Sequence, residues 1–251
     1  MTSFKIKGTD TGIDKFGYNG DVDAAEDIWS GGGAFDWTKV AANATTTIES
    51  SHADDDGSPV GAGMRTCEVE GLVIVTNAQG ITGGRIYRET VTLNGVTAVT
   101  LANQYAFVYR VAGKTWGASN ANVGLLSVKH GADVIARVEI GINQSEMALM
   151  IVPQFDSQGS VIHGAFLSYW GASVVANTAA NAGMSLQSAP KGEYGFSIKR
   201  RGVLTVNRDV EQYFQGNLYF KPGTKLKIKA DTVSAANQNI SGQFTLEYDK
   251  G

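Results

Sequence analysis

The stretch TCEVE, residues 66–70, alternates apolar and acidic side chains with a period of two. In an extended strand this spacing places Cys67 and Val69 on one face and the two glutamates on the other, as a half-buried strand requires. The alternation recurs in residues 85–93, which run into Asn94-Gly95 and then into the β-branched residues 96–101. Because Asn-Gly favours a type I′ turn, we predict a β-hairpin there.

Strand-like runs of the same kind extend to the end of the chain, separated by segments rich in Gly, Asn, Ser and Ala. They lie at residues 105–111, 133–142, 147–152, 161–169, 194–199, 226–231 and 242–248. This spacing is typical of an all-β protein, so we predict an antiparallel β-sandwich with a jelly-roll-like arrangement. In residues 225–229, KLKIK, the lysines share one face, and we expect this row to protect a sheet edge. Only Asp21 to Trp29 has the composition of a short helix.

The chain shows no clear linker, so its domain organisation has two interpretations. In one, residues 1–115 form an N-terminal β-sandwich region with an extended N-terminal arm, and residues 116–251 form a C-terminal jelly-roll-like region. In the other, the strands form a single interleaved domain. A chain of 251 residues is long enough for either arrangement.

Composition and charge argue against several classes of partner. The formal net charge is -3, which removes the basic field that nucleic-acid binding normally needs. The longest apolar stretch, residues 148–153, is too short to cross a bilayer. The single cysteine, Cys67, alternates inward with Val69 and is expected to be a small buried apolar residue. We therefore expect neither nucleic acid nor membrane as a partner.

No arrangement of reactive side chains indicates catalysis, a cofactor or a tightly held metal. Three adjacent carboxylates, Asp54, Asp55 and Asp56, could offer oxygen ligands to a cation, although their spacing does not match an EF-hand loop. Carboxylates at Asp133, Glu139 and Glu146 lie near predicted strand ends without forming a recognisable acid and nucleophile pair. The candidate interface residues are the aromatic side chains Phe16, Trp29 and Trp37 and the basic run Lys199, Arg200 and Arg201, which suits a solvated turn or an acidic protein surface.

Six segments, taken together and in order, resemble a group of virion proteins of tailed bacteriophages. They are KFG with DIW (15–17 and 27–29), DDGSPVGAGMRTCEVEGL (55–72), ETVTLNGVTAVT (89–100), NVG (122–124), QSEMALMIVP (144–153) and SGQFTLEY (241–248). Departures from the group's pattern include Met64 in place of alanine and Ile151 in place of tyrosine. The resemblance spans most of the chain and implies a structural component of a phage particle, built as a β-sandwich or jelly roll and without a catalytic site.

From this resemblance we expect a capsid decoration or cement protein that binds and reinforces the shell. Its partners would be the major capsid protein or other virion proteins and further copies of itself, as a homotrimer, and it would be made in the host bacterial cytoplasm. The first alternative is a tail or fibre appendage that contacts the host surface, with Trp116 or Trp170 stacking on sugars. The second is a hydrolytic enzyme carried on the virion.

Overall fold

The computed structural model describes residues 11–40, 42–57, 61–175, 181–205, 209–213 and 218–251. Within these ranges the chain forms sixteen strands and one short 3-10 helix, Trp37–Val40. The predicted all-β class is confirmed, and neighbouring strands of its sheets pair in the antiparallel direction, as predicted. The strands are β1 (Gly12–Val22), β2 (Thr46–Ser50), β3 (Met64–Thr76), β4 (Thr82–Thr92), β5 (Val99–Thr100), β6 (Phe107–Trp116), β7 (Leu126–His130), β8 (Asp133–Val138), β9 (Leu149–Ile151), β10 (Gly164–Val175), β11 (Ala182–Ala189), β12 (Ser197–Leu204), β13 (Asp209–Tyr213), β14 (Tyr219–Phe220), β15 (Lys225–Val233) and β16 (Gln238–Asp249).

The chain divides into two compact units that interleave along the sequence. The first unit comprises residues 1–35, 75–85 and 148–251, and the second comprises residues 36–74 and 86–147. The boundary expected between residues 115 and 116 falls inside β6, where both sides belong to the second unit. The expected N-terminal arm begins in residues 1–10, which lie outside the described ranges.

The first unit is a β-sandwich with the strand order of a jelly roll. One sheet has the order β1-β16-β10-β13, with β14 also pairing with β10, and the other has the order β12-β11-β15-β9. When β1, β9, β10, β11, β12, β13, β15 and β16 are numbered from one to eight, the sheets read 1-8-3-6 and 5-4-7-2. This is the double Greek key of an eight-stranded jelly roll.

The two sheets of this unit enclose an apolar core. Trp170 of β10 is fully buried and reaches β12, where a Cβ atom added at Gly202 would lie 3.1 Å from the Trp170 ring. Leu186 of β11, Ile228 of β15 and Phe244 of β16 are also fully buried. Along β16 the buried positions follow the period of two, as the sequence pattern predicts for residues 242–248.

The predicted lysine-protected edge at residues 225–229 is wrong. β15 is an interior strand, because β11 pairs with one side of it and β9 and the backbone around Asp27 pair with the other. The lysines are buried instead of solvated: the Lys227 ammonium lies 2.8 Å from a carboxylate oxygen of Asp27, and the Lys225 ammonium lies 3.8 Å above the Tyr194 ring. Each long side chain covers apolar surface while its charge finds a partner.

The predicted helix over Asp21–Trp29 is also wrong. β1 continues to Val22, and the backbone N–H groups of Glu26 and Ile28 donate to carbonyl oxygens of β15. An extended segment here satisfies backbone groups along β15 that a helix would leave unpaired. Sheet pairing therefore outweighs the local helix propensity of this stretch.

The second unit contains two further sheets, with the orders β5-β2-β7-β8 and β4-β3-β6. The predicted hairpin at Asn94-Gly95 is wrong, because β5 pairs with β2 and β4 lies in the other sheet. Gly95 has a φ of 56°, but Asn94 forms a bridge with Asp56 instead of joining β4 to β5. At Asn94-Gly95 the chain turns and passes from the sheet that contains β4 to the sheet that contains β5.

Candidate functional site

The acidic loop that the sequence offered as a cation site is organised around one buried carboxylate. Asp55 is fully buried, and its carboxylate accepts hydrogen bonds from the backbone N–H groups of Met64 (2.7 Å), Val123 (3.0 Å) and Gly124 (2.7 Å) and from the Ser50 hydroxyl (2.7 Å). These donors come from the end of β2, the start of β3 and the segment before β7.

Asp55 therefore ties three segments of the second unit together. A cation at this carboxylate would have to displace hydrogen bonds that the fold supplies, and each donor left unpaired would cost free energy. Asp54 is exposed and Asp56 is half-buried. Within the described residues, no group of three or more His, Cys, Asp or Glu side chains is arranged to hold a metal ion.

The basic run lies on an edge strand instead of in a turn. Lys199, Arg200 and Arg201 belong to β12, which is the terminal strand of its sheet. The pairing of β12 with β11 shifts register between Ile198 and Arg200, which places Lys199 at a bulge. The Arg201 side chain is 63% exposed and its Nε lies 3.7 Å from a carboxylate oxygen of Asp231. The run presents positive charge at one side of the jelly roll.

Two of the three aromatic interface candidates are packed within their own units. Trp29 is buried with its ring edge-on to Phe35 at 5.1 Å, and Trp37 is buried and stacked on Phe107 at 5.7 Å. Both rings contribute to core packing and leave no open face for a partner. Phe16 is half-buried on β1 and pairs in register with Gln243 of β16.

The two tryptophans suggested for sugar stacking are not free either. Trp170 is fully buried. Trp116 is half-buried, and its indole N–H donates to the side-chain oxygen of Asn143 at 2.8 Å. The Asn122 side chain beside this loop is buried and donates to the carbonyl oxygens of Gly124 and Glu139. This loop is held together by its own hydrogen bonds.

An aromatic surface that the sequence analysis missed covers the outer face of the first sheet of the jelly roll. Because residues in register across neighbouring strands share a face, the pairing of β1, β10, β13, β14 and β16 identifies its members. We call this surface the tyrosine face; it comprises Asp14, Phe16, Tyr18, Phe166, Tyr169, Ser173, Asp209, Glu211, Tyr213, Tyr219, Ser241, Gln243, Thr245, Glu247 and Asp249.

Two pairs of rings lie along β10 on the tyrosine face. Tyr169 and Tyr213 have ring centroids 5.0 Å apart, and Phe166 and Tyr219 have centroids 4.9 Å apart. Tyr213 is 78% exposed and Tyr219 is 41% exposed. Because β10 has a bulge between Leu167 and Tyr169, Phe166 and Tyr169 lie opposite residues of β16 that are two apart, Glu247 and Thr245. At about 3.3 Å per residue along a strand, the two pairs are separated by roughly 7 Å.

Two of the tyrosine side chains, those of Tyr169 and Tyr219, cover glycine positions of β10. A Cβ atom added at Gly171 would lie 2.3 Å from the Tyr169 hydroxyl, and one added at Gly164 would lie 2.3 Å from the Tyr219 ring. Any other residue at these positions would push the ring away from the sheet. A Tyr-x-Gly spacing within a strand, as in Tyr169-Trp170-Gly171, is the sequence signal that would have found one of these rings.

Hydrogen-bonding groups lie between the rings. The Gln243 side-chain amide donates to the Tyr169 hydroxyl at 2.8 Å, and the Tyr219 hydroxyl donates to a carboxylate oxygen of Asp249 at 3.3 Å. Burial, together with the nearby charge of Glu211, raises the pKa of Tyr169 to about 12. Burial and the charge of Asp249 also raise the pKa of Tyr219. Both phenols therefore remain protonated and neutral at physiological pH.

The remaining titratable groups of interest lie in the second unit. Cys67 is fully buried, as predicted, and burial raises the pKa of its thiol to about 12, with a smaller contribution from the charge of Glu89. Burial also raises the pKa of the Glu139 and Glu146 carboxyls, and Glu146 is raised further by the charge of Glu139. The Asp133 carboxylate lies 3.2 Å from the Lys39 ammonium.

Comparisons with known proteins add little to this picture. No protein-family model matches the chain, and no curated protein sequence matches it. A structure of infectious bursal disease virus, Gx strain, is similar over 96% of this chain and 72% of its own, at 11% identity and a TM-score of 0.25. The Gt strain structure is similar over 98% and 78%, at 8% identity and a TM-score of 0.12. TM-scores of this size do not establish a shared fold, so these likenesses assign no function to the chain. Among the described residues, no helix is long and apolar enough to span a membrane.

Proposed function

We propose that this chain is a structural protein of a virion, and that it binds and reinforces the capsid shell of a tailed bacteriophage as a decoration or cement protein. The observation that carries the proposal is the strand order of the first unit, 1-8-3-6 and 5-4-7-2. Viral capsid domains are one of the groups of proteins built on this double Greek key. The resemblance of six segments to phage virion proteins supports the same role, which is structural instead of enzymatic.

The basic strand β12 is the surface best suited to contact the shell. Lys199 and Arg201 place positive charge at a sheet edge, where backbone groups on one side of β12 have no neighbouring strand in the described sheet. An acidic surface on the major capsid protein would complement this charge. As a homotrimer, the chain would present three copies of the strand, and the local concentration of the second and third copies would strengthen modest single contacts.

A sedimentation experiment tests this role. Purified protein is mixed with capsids that lack it and, separately, with host cells, and the fraction that sediments with each is measured. We expect sedimentation with capsids, and about a tenfold weaker apparent affinity for a Lys199→Glu, Arg201→Ser variant. Lys191→Glu, which changes an exposed lysine of the same unit outside β12, is the matched control and should bind normally.

A second candidate function is that of a tail or fibre appendage that contacts the host surface. The exposed rings of the tyrosine face favour it, because aromatic side chains open to solvent are common at recognition surfaces. Sedimentation with cells and not with capsids would support this candidate and overturn the shell-binding proposal.

A further inference from the structure

The tyrosine face has the geometry of a platform instead of a pocket. Tyr169 covers Gly171 and Tyr219 covers Gly164, while the Tyr213 and Tyr219 side chains remain open to solvent on the face of the sheet. A depression on it, lined by Asp14, Thr245 and Glu247 among others, has a volume of about 250 Å³. Sites for drug-sized ligands are typically about 300–1,000 Å³. A sheet face with exposed aromatic side chains and only a shallow depression suits an extended ligand that lies across it.

The charge of the tyrosine face limits the chemistry of that ligand. Asp209, Glu211 and Glu247 stand on it by register, and none of its described members is a lysine or arginine. An acidic polymer such as a nucleic acid or a polyuronate would be repelled. A second copy that docked by the same face around a two-fold axis would bring these carboxylates together, which opposes such a dimer.

We propose that the tyrosine face binds a neutral polysaccharide. The apolar C–H face of a sugar ring packs on a tyrosine ring, and Tyr213 and Tyr219 are the two most exposed rings available for this. The roughly 7 Å between the two ring pairs lets one extended chain engage both pairs.

Hydrogen bonds would fix the position of the sugars between the rings. The Gln243 amide, the Glu211 carboxylate and the Asp249 carboxylate lie beside the tyrosine hydroxyls and can accept or donate hydrogen bonds to sugar hydroxyls. The Tyr219 O–H already donates to Asp249 and the Tyr169 O–H is hydrogen-bonded to Glu211, so the phenol oxygens contribute acceptor sites for sugar hydroxyls. The site requires no metal ion and no movement of the sheet.

This inference does not depend on where in the virion the chain is placed. Capsid binding and polysaccharide binding use different partners and different strands, so each can fail without the other. If the chain binds polysaccharide but not capsids, the shell-binding proposal fails alone; if it binds capsids but not polysaccharide, this inference fails alone.

Affinity electrophoresis of the purified full chain tests the inference. Native gels contain a neutral β-glucan, a neutral galactomannan or the polyuronate alginate, and retardation is measured against polysaccharide concentration. We expect retardation by at least one neutral polymer and none by alginate. Tyr213→Ala with Tyr219→Ala should weaken the interaction by about tenfold or more. Tyr194→Ala, which removes an exposed tyrosine from the segment between β11 and β12, should have no effect.

A second pair of variants separates loss of the rings from loss of the fold. Tyr213→Phe keeps a ring and should keep most of the affinity. Gly171→Val should displace the Tyr169 ring and weaken binding. The thermal midpoints of the other variants should stay unchanged, which shows that their fold is intact. The inference is overturned by any of three results: no retardation by either neutral polymer, equal retardation of the double variant and the wild type, or preferential retardation by alginate.

Discussion

Removal of the Asp55 carboxylate should destabilise the second unit more than any other single change in the acidic loop. The carboxylate is fully buried and accepts four hydrogen bonds, three from backbone N–H groups and one from the Ser50 hydroxyl. A hydrogen bond to a charged group contributes about 1.5–3 kcal/mol, and these four share one acceptor and are not additive. We therefore expect Asp55→Ala to lower the free energy of unfolding by about 4 kcal/mol, which is large for one substitution.

Two companion variants show whether the cause is the hydrogen-bonding carboxylate. Asp55→Asn keeps the shape but turns an amide N–H₂ towards backbone donors, and it should lose about 2 kcal/mol. Asp54→Asn changes an exposed neighbour and should stay within about 0.5 kcal/mol of the wild type. Urea unfolding followed by tryptophan fluorescence is a suitable assay, because Trp37 and Trp116 belong to the same unit as Asp55.

The reasoning would be refuted if Asp55→Ala lost less than about 1 kcal/mol. It would also be refuted if calcium raised the urea midpoint of the wild type and not that of Asp55→Ala, because the carboxylate would then be a cation ligand and not an acceptor for the backbone.

Three further predictions concern other buried groups. The Glu70 side chain is 3% exposed and lies 2.7 Å from the Arg88 guanidinium, so Glu70→Gln should lower the free energy of unfolding by about 2 kcal/mol. Lys114→Ala, at the exposed end of the same charge network, should lower it by under about 1 kcal/mol. Chemical denaturation measures both. Burial alone would raise the pKa of Asp156, but hydrogen bonds from the Lys250 ammonium and two backbone N–H groups hold it below its ordinary value of 3.8. The ionised Asp156 carboxylate therefore stabilises the protein above pH 3.8, and this stabilisation is lost as the pH falls through the lower pKa of the folded state. In Asp156→Asn the thermal midpoint should fall less steeply towards acid pH than it does in the wild type. Cys67 should resist a thiol reagent at pH 8 in the native protein and react fully in denaturant; rapid native labelling would contradict its burial.

The sequence predicts strands well in this protein because the period of two is a local property. The runs at 105–111, 226–231 and 242–248 all coincide with parts of strands β6, β15 and β16. Strand pairing is not local, and the predictions that depended on it failed. Asn94-Gly95 has hairpin chemistry, yet β5 finds its partner in β2, some fifty residues earlier in the chain.

The candidate sites show the same division. Acidic residues at 54–56 are visible in the sequence, but only the fold shows that Asp55 alone turns inward to backbone donors from β3 and the segment before β7. The tyrosine face is formed by five strands that are far apart in the chain, so no single segment of the sequence predicts it. Its local trace is the glycine two residues after Tyr169.

The pairing of β1 with β16 has a consequence for biosynthesis. Gly12 lies opposite Glu247, so β1 cannot pair with β16 until translation has reached β16. The closing of so long a loop is slow and leaves an unpaired edge open to wrong partners in the meantime. The second unit draws all of its residues from positions 36–147 and can fold earlier. The jelly roll can thus be completed only after β16 has been translated, and only then does the chain acquire the strand order on which its assembly would depend.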